Sequence, residues 1–255
     1  MKIAIYTAIF GNKDALREPS DISNGENIDF YVITDNNELK SNFYTVLYKP
    51  CTYSNVAKNS RLYKILGVKE FESYDYVIWH DANLQIIVDE VPRLVQSLRN
   101  NFLATFKHPL RRCFMEESIA CIKDKKDNAY IILLQCILNL FRGLSPDSGL
   151  YETSILVKRN KNFNKRFFEQ WWKEVKFFSR RDQISLPYVK KKMNEKVDVL
   201  EGDRINNPYS IFYAHKYDNY ISKGKLEKLE VGLLEVWIIK VIERLKMILK
   251  KQPFY

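Results

Sequence analysis

Residues Tyr74 to Ile87, YDYVIWHDANLQII, constrain the fold more than any other stretch of the chain. Strand-forming Tyr76, Val77, Ile78 and Trp79 run into His80-Asp81-Ala82-Asn83, and apolar residues resume at Leu84. β-branched and aromatic residues bounded by polar ones predict a buried strand of a parallel sheet. Such sheets bind ligands at the carboxyl ends of their strands, where Asp81 and Asn83 are expected. Two oxygen-bearing side chains in an Asp-x-Asn spacing can ligate one hard cation, which would in turn hold a diphosphate. The same pair suits a turn that ends a strand, because Asp and Asn are common turn residues. Taken alone, the stretch leaves both readings open.

Further strands are predicted around it. Lys2–Phe10 is a buried-strand pattern stopped by Gly11-Asn12, Asn27–Asp35 is a second strand, and Phe43–Tyr48 a third. Strands that open a chain and end in Thr, Asp or Gly are used by nucleotide-binding α/β domains to hold base and ribose. No G-x-G-x-x-G and no Walker loop occurs, which disfavours dinucleotide and P-loop chemistry. Ser54–Phe71 has helical periodicity and places Arg61 and Lys64 on one face, three residues apart. That pair suits a phosphate or an acidic sugar, and equally a solvated basic face.

Downstream, helices are predicted over Val88–Asn100, Cys113–Asp124, Asn128–Phe141, Asn162–Phe178 and from Asp182 to Met193. Strands are predicted at Phe102–Phe106, which runs into Lys107, at Leu150–Lys158 and at Val197–Leu200. Glu116 and Glu117 are neighbours on a helix and point in different directions, so surface solvation is expected for both. The rings of Asn162–Phe178 are expected to pack in the core. Asp182 near a helix start can be a capping group, although Arg180 and Arg181 beside it suit a plain surface cap poorly.

The 255 residues allow a single α/β domain with a substantial core, followed by an extension: residues 1–220 as the domain and 221–255 as a basic amphipathic helix. A formal charge of +10 favours an anionic partner: nucleic acid, an anionic membrane or a nucleotide-linked substrate. The four cysteines show neither C-x-x-C nor zinc spacing and suit reduced thiols of a cytosolic protein. The opening apolar run lacks a small-residue cleavage site, no N-x-S/T acceptor is present, and no apolar run reaches the ~18 residues of a membrane span. A cytoplasmic protein is the resulting expectation. Within Gly232–Lys251, Leu234, Trp237, Ile238, Val241, Ile242, Leu245, Ile248 and Leu249 form a broad apolar face on a basic helix. Such a helix suits adsorption to an anionic membrane surface, at the inner face, or docking on the core or a partner subunit.

KIAIYTAIFGNKD, DFYVITDN, SRLYKI, YDYVIWHDANLQI, FKHPLRRCFMEE, SPDSGLYET and SRRDQISLPYV together resemble a family of glycosyltransferase-like domains. That family includes plant proteins of cell-wall and mucilage polysaccharide synthesis and many bacterial relatives. The resemblance runs from about Lys2 to Val189. It implies a GT-A fold, a Rossmann-like nucleotide-sugar-binding α/β sandwich with a mostly parallel sheet, and a divalent cation, Mn²⁺ or Mg²⁺, at a D-x-D-type motif. Asp81 and Asn83 match the ends of that motif, and His215 is the candidate late histidine of the metal site. Thr7, Ala8 and Asp35 match positions that hold the nucleoside, while Arg61 and Lys64 would contact the diphosphate or sugar, joined by Lys107. Asp147, Ser148 and Gly149 resemble the turn before the acceptor-side wall. Asp182 and Gln183 resemble the catalytic pair beside the anomeric carbon of retaining enzymes.

The expected activity is transfer of a hexosyl or glycuronosyl group, from a UDP-sugar, to a glycan or glycolipid acceptor in capsule or lipopolysaccharide synthesis. Two other readings stand beside it. A basic nucleic-acid-binding module would use the net charge, but its basic residues are dispersed and no such motif is present; nucleic acid is therefore not an expected partner. A lipid hydrolase follows from the hydrolytic activity ascribed to a plant member of the family, yet neither G-x-S-x-G nor H-E-x-x-H occurs.

Overall fold

Strand β1 (Ile3–Ile9) sorts its side chains by the two-residue period of a pleated strand. Ala4, Tyr6 and Ala8 join one apolar cluster, and Ile3, Ile5 and Ile9 join another. The same alternation in β4 (Tyr76–His80) sends Val77 and Trp79 to the first face and Ile78 to the second. A sheet apolar on both faces must be covered on both. The computed structural model of the chain describes residues 1–19, 27–161, 164–214 and 232–251.

The sheet has seven strands in the order β3-β2-β1-β4-β7-β6-β8, which makes β4 the middle strand. Its other members are β2 (Ile28–Thr34), β3 (Tyr44–Tyr48), β6 (Leu103–Lys107), β7 (Tyr151–Arg159) and β8 (Asp198–Leu200). Every neighbouring pair is parallel except those made by β7, which runs antiparallel to both β4 and β6. The expected α/β fold with a mostly parallel sheet is therefore present. A small antiparallel pair, β5 (Leu84–Ile86) with β9 (Ser210–Phe212), folds over the second face.

Helix α1 (Val56–Leu66) starts at Asn55, whose side chain accepts the N–H groups of Ala57 and Lys58, and ends at Gly67 with φ 71°. The second face is covered by α2 (Val91–Gln96), shorter than expected because Pro92 opens it and a 3₁₀ turn replaces its predicted start. On the first face, α1 packs with α3 (Phe114–Lys123), α4 (Ala129–Phe141), α5 (Lys165–Phe177) and α6 (Asp182–Lys192). Phe167, Phe168, Trp171 and Trp172 of α5 are buried there, as expected of packing rings.

The terminal helix α7 (Leu233–Lys251) docks on α3 and α4. Ile238, Ile239 and Ile242 enter the first core cluster, and Lys246 pairs with Glu116. Core docking thus accounts for one side of the helix. Leu233, Trp237, Met247 and Ile248 remain exposed.

Candidate active site

A cleft of about 360 Å³ opens at the carboxyl ends of β1 and β4. Ala8 and Asp81 supply its floor, Arg61 and Lys64 come from α1, and Asp182 and Gln183 come from the first turn of α6. Asp81 follows Trp79 by two residues and so projects from the same face; its Oδ1 accepts the Trp79 Nε1–H at 3.0 Å. Its side chain is 26% exposed, into the cleft.

Beneath Asp81 lies a knot of charge. Lys64 Nζ is 2.8 Å from Asp182 Oδ2 and 3.5 Å from Asp81 Oδ1, and it donates to Thr153 Oγ1 at 3.0 Å. Arg61 Nε lies 3.1 Å from Asp182 Oδ1, and the Thr153 hydroxyl donates to Asp182 Oδ2 at 2.8 Å. Burial alone would raise the Asp182 carboxyl, but Lys64 and Arg61 override it and hold it well below the usual carboxylate range. Asp81 is shifted down in the same way, burial being outweighed by Lys64 and Arg61. Burial lowers the Lys64 ammonium, against the pull of Asp182 and Asp81. Asp182 is thus an interior ionic anchor, not a surface cap.

Antiparallel β7 brings in residues that sequence reasoning missed. Its first residues lie beside the last of β4, because His80 pairs with Ile155 and the Asp81 N–H donates to Ser154 O. Glu152, Thr153 and Ser154 therefore line the cleft. Burial raises the Glu152 carboxyl, with Arg204 pulling back, which makes it the cleft carboxyl best suited to carry a proton. Arg181 and Arg204 also line the cleft, and their Nε atoms, like Ser154 Oγ, are buried without a hydrogen bond to any described residue. Glu117, expected in solvent, is buried and pairs with Arg111 at 2.6 Å and with Arg181 at 3.8 Å. A basic residue six positions upstream, Arg111, was the available signal.

Several residues named from the sequence lie elsewhere. Lys107 ends β6 opposite Tyr151, two strands from β4, and its side chain is in solvent. Thr7 is fully buried and does not reach the cleft wall. Asp35 turns to the Gly11 N–H at 2.9 and 3.1 Å and joins the loops after β1 and β2. Asp147, Ser148 and Gly149 form the turn before β7, where Asp147 is exposed and Gly149 has φ 77°; none of the three lines the cleft.

Of the metal ligands expected at this cleft, Asp81 and Asn83 are not brought together. Asn83 is 4% exposed, its amide donates to Tyr213 O at 3.2 Å, and the Tyr213 N–H donates back to Asn83 O. This exchange ties the segment after β4 to the residue after β9 and draws Asn83 out of the cleft. His215 lies outside the described residues. Among the described residues, no group of three His, Cys, Asp or Glu could hold a metal ion. Among the described residues, Asp81 and Asn83 do not together fit a divalent cation. His80, also on the key stretch, is buried against the Tyr44 hydroxyl and the Asp81 carbonyl, and burial lowers its pKa to about 4, so it is a neutral core residue.

The mostly parallel α/β sheet has its cationic cleft at the carboxyl ends of its central strands, where open α/β sheets bind ligands. The chain belongs to the family described as TOD1/MUCI70, glycosyltransferase-like domain, whose model matches residues 1–202. It is 25% identical to the alkaline ceramidase TOD1 of Arabidopsis thaliana, over 76% of this chain and 49% of that protein. It is 26% identical to the probable hexosyltransferase MUCI70 of Arabidopsis thaliana, over 77% of this chain and 38% of that protein. The chain thus spans half or less of the length of these relatives. An apo structure of the bifunctional glycosyltransferase WbbM aligns with a TM-score of 0.47 at 14% identity, over 94% of this chain and 51% of that one.

Proposed function

We propose that the chain is a glycosyltransferase that moves a hexosyl or glycuronosyl group from a nucleoside-diphosphate sugar, a UDP-sugar in the first instance, to a glycan or glycolipid of a surface polysaccharide. The observation that carries this reading is the convergence of Arg61, Lys64, Arg181 and Arg204 on one cleft at the end of β4. Buried Arg181 Nε and Ser154 Oγ make no hydrogen bond to any described residue, and Arg204 Nε has only the Glu152 carboxylate at 3.6 Å, as donors kept for an anionic ligand would. Membership of the family supports the same activity.

As the glycosidic bond breaks, negative charge builds on the leaving diphosphate, and fixed cations in a partly dry cleft stabilise it. Arg61, Arg181 and Arg204 are the side chains placed to do so. Asp182 has both carboxylate oxygens engaged, so it acts as a positioning residue that holds Arg61 and Lys64 in place. Gln183 faces the cleft and is the side chain to meet the sugar ring. Retention of configuration belongs to the same reading, and NMR of the product would show it; a β-linked product from an α-donor would reject it.

No helix among the described residues is long and apolar enough to cross a membrane. The outer face of α7 is proposed to bring the cleft to an anionic membrane surface, where a lipid-linked acceptor would be presented.

The direct test is thermal-shift screening of nucleotide sugars followed by turnover of any hit. A true donor raises the melting temperature by mass action, and Asp81→Ala should abolish turnover while the circular dichroism spectrum is kept. Full activity of Asp81→Ala would reject the site. Release of a fatty acid from ceramide, with no response to any nucleotide sugar, would favour hydrolysis instead.

A further inference from the structure

The cleft already contains a cation. Lys64 reaches it from the last turn of α1, and its Nζ stands between Asp182 Oδ2 at 2.8 Å and Asp81 Oδ1 at 3.5 Å. The lysine is 1% exposed, so its ammonium is held by these groups and by Thr153 instead of by water. Arg61 and Lys64 balance the charges of Asp81 and Asp182, which leaves no net negative charge there to attract a dication. A divalent ion on Asp81 would have to share the carboxylate with an ammonium already beside it, and like charges repel strongly in a poorly solvated site. The Trp79 Nε1–H occupies the same Oδ1, and Asn83 is committed to Tyr213.

We propose that the Lys64 ammonium is the resident cation of this cleft, in the place of a divalent metal, and that the cleft takes a nucleoside diphosphate without added metal. The proposal rests on the donor-binding reading for its ligand, but not for the occupancy of the cation position. With a diphosphate bound, Lys64 stays anchored on Asp182 and turns its remaining positive field toward the phosphates, next to Arg61, Arg181 and Arg204. Removal of Lys64 leaves Asp81 and Asp182 facing an empty space of the size an ion would fill. A divalent site should then appear where there was none.

The experiment has two arms on the full chain. In the first, nucleotide-free protein is titrated with Mn²⁺ and free ion is read by electron paramagnetic resonance. The wild type should take up no stoichiometric ion, whereas Lys64→Ala should gain one site that Asp81→Asn removes. Stoichiometric Mn²⁺ on the wild type, lost in Asp81→Asn, would overturn the proposal and would leave the donor reading intact. The wild-type titration decides this even if Lys64→Ala fails to fold.

In the second arm, binding of UDP is measured by calorimetry with EDTA and with Mg²⁺ or Mn²⁺. Dissociation constants within about threefold of each other are expected, since fixed charges carry the phosphates. A fall in affinity of about a hundredfold or more on chelation, the scale of a lost divalent bridge, would overturn the proposal. Absence of UDP binding under every condition, with other nucleoside diphosphates equally silent, would overturn the ligand assignment and the donor reading together. The Mn²⁺ titration would in that case still report who occupies the cation position.

Discussion

Among the described residues, two lysines are almost completely buried, and they are buried differently. Lys64 is 1% exposed and faces two carboxylates. Lys158, on β7, is 2% exposed and has no carboxylate partner among the described residues: its Nζ donates to Tyr6 Oη at 3.0 Å and to the carbonyls of Lys64 and Ile65 at 2.6 and 3.0 Å. Burial pulls the Lys158 amine well below the ordinary lysine range, and the nearby charge of Lys64 adds to the shift. A lysine with neutral partners at a helix C-terminus caps carbonyls that would otherwise be unsatisfied. A lysine with two ionic partners in a cleft keeps its charge for something else. Lys158 holds the backbone of Lys64, and Lys64 holds the site.

The sharpest way to break this comparison is to remove each ammonium with the shape roughly kept. Lys64→Met should lower kcat/KM by about 10²–10³, the usual scale for one preorganised electrostatic donor. Lys158→Met should change kcat/KM by less than about fivefold and instead lower the unfolding free energy by about 1–3 kcal/mol, the cost of orphaned buried acceptors. Steady-state kinetics and urea melts on both variants read the two effects separately. Should Lys64→Met not fold because Asp182 is left uncompensated, Lys64→Met/Asp182→Asn restores the charge balance. Equal losses of activity from both lysines would erase the distinction.

Acid sharpens the same contrast. Asp182 has a depressed folded pKa, so its contribution is fully present above the unfolded aspartate value of ~3.9 and is lost as pH falls through the lower folded value. The stability gap between wild type and Asp182→Asn should therefore be constant from neutrality to about pH 5 and should close in more acidic solution. The gap between wild type and Lys158→Met should follow another course, narrowing as pH falls from the unfolded lysine value of ~10.4 towards the depressed folded value, because the buried amine must take up a proton there. His80 and His108 act in an earlier window. Burial lowers both to about 4, so the neutral native rings lose stability between the unfolded histidine value of ~6.5 and about pH 4. Comparing variants at one pH cancels that background.

Much of the fold was legible because periodicity is local. The alternation of Ile3 and Ile5 with Ala4 and Tyr6 marks β1 as buried on both faces, and the rings of α5 declare a core helix. Arg61, Lys64, Asp81, Asp182 and Gln183 were all named from the sequence, and they line one cleft. Strand direction is not a local property. The apolar run of β7 is the same whichever way it is read, so Glu152, Thr153 and Ser154 could not be placed beside Asp81 until its antiparallel pairing was seen. Arg204 was hidden for a second reason: it sits in a polar linker, and only the pairing of β9 with β5 carries its neighbourhood back to the cleft. Asn83 was misplaced because an Asp-x-Asn spacing does not record which face each side chain takes. Asp81 faces the helices, whereas Asn83 is held by Tyr213.

The smallest effect is expected far from either lysine, on α7. Its inner side is committed to the core through Ile238 and Ile242, both 0% exposed, so membrane adsorption has to use what is left. Leu233, Trp237, Lys240, Arg244 and Ile248 follow one another at intervals of four, three, four and four residues and share an outer stripe. Trp237 is 57% exposed on that stripe, and Glu243 falls off it. Apolar side chains flanking cations match an anionic lipid surface. Trp237→Ser should lower co-sedimentation with vesicles containing phosphatidylglycerol by roughly tenfold. Lys240→Glu/Arg244→Glu should act similarly at low salt, and neither change should alter nucleotide binding in the cleft. Equal binding of wild type and Trp237→Ser, or binding to neutral vesicles as strong as to anionic ones, would return the outer face of α7 to the status of plain surface.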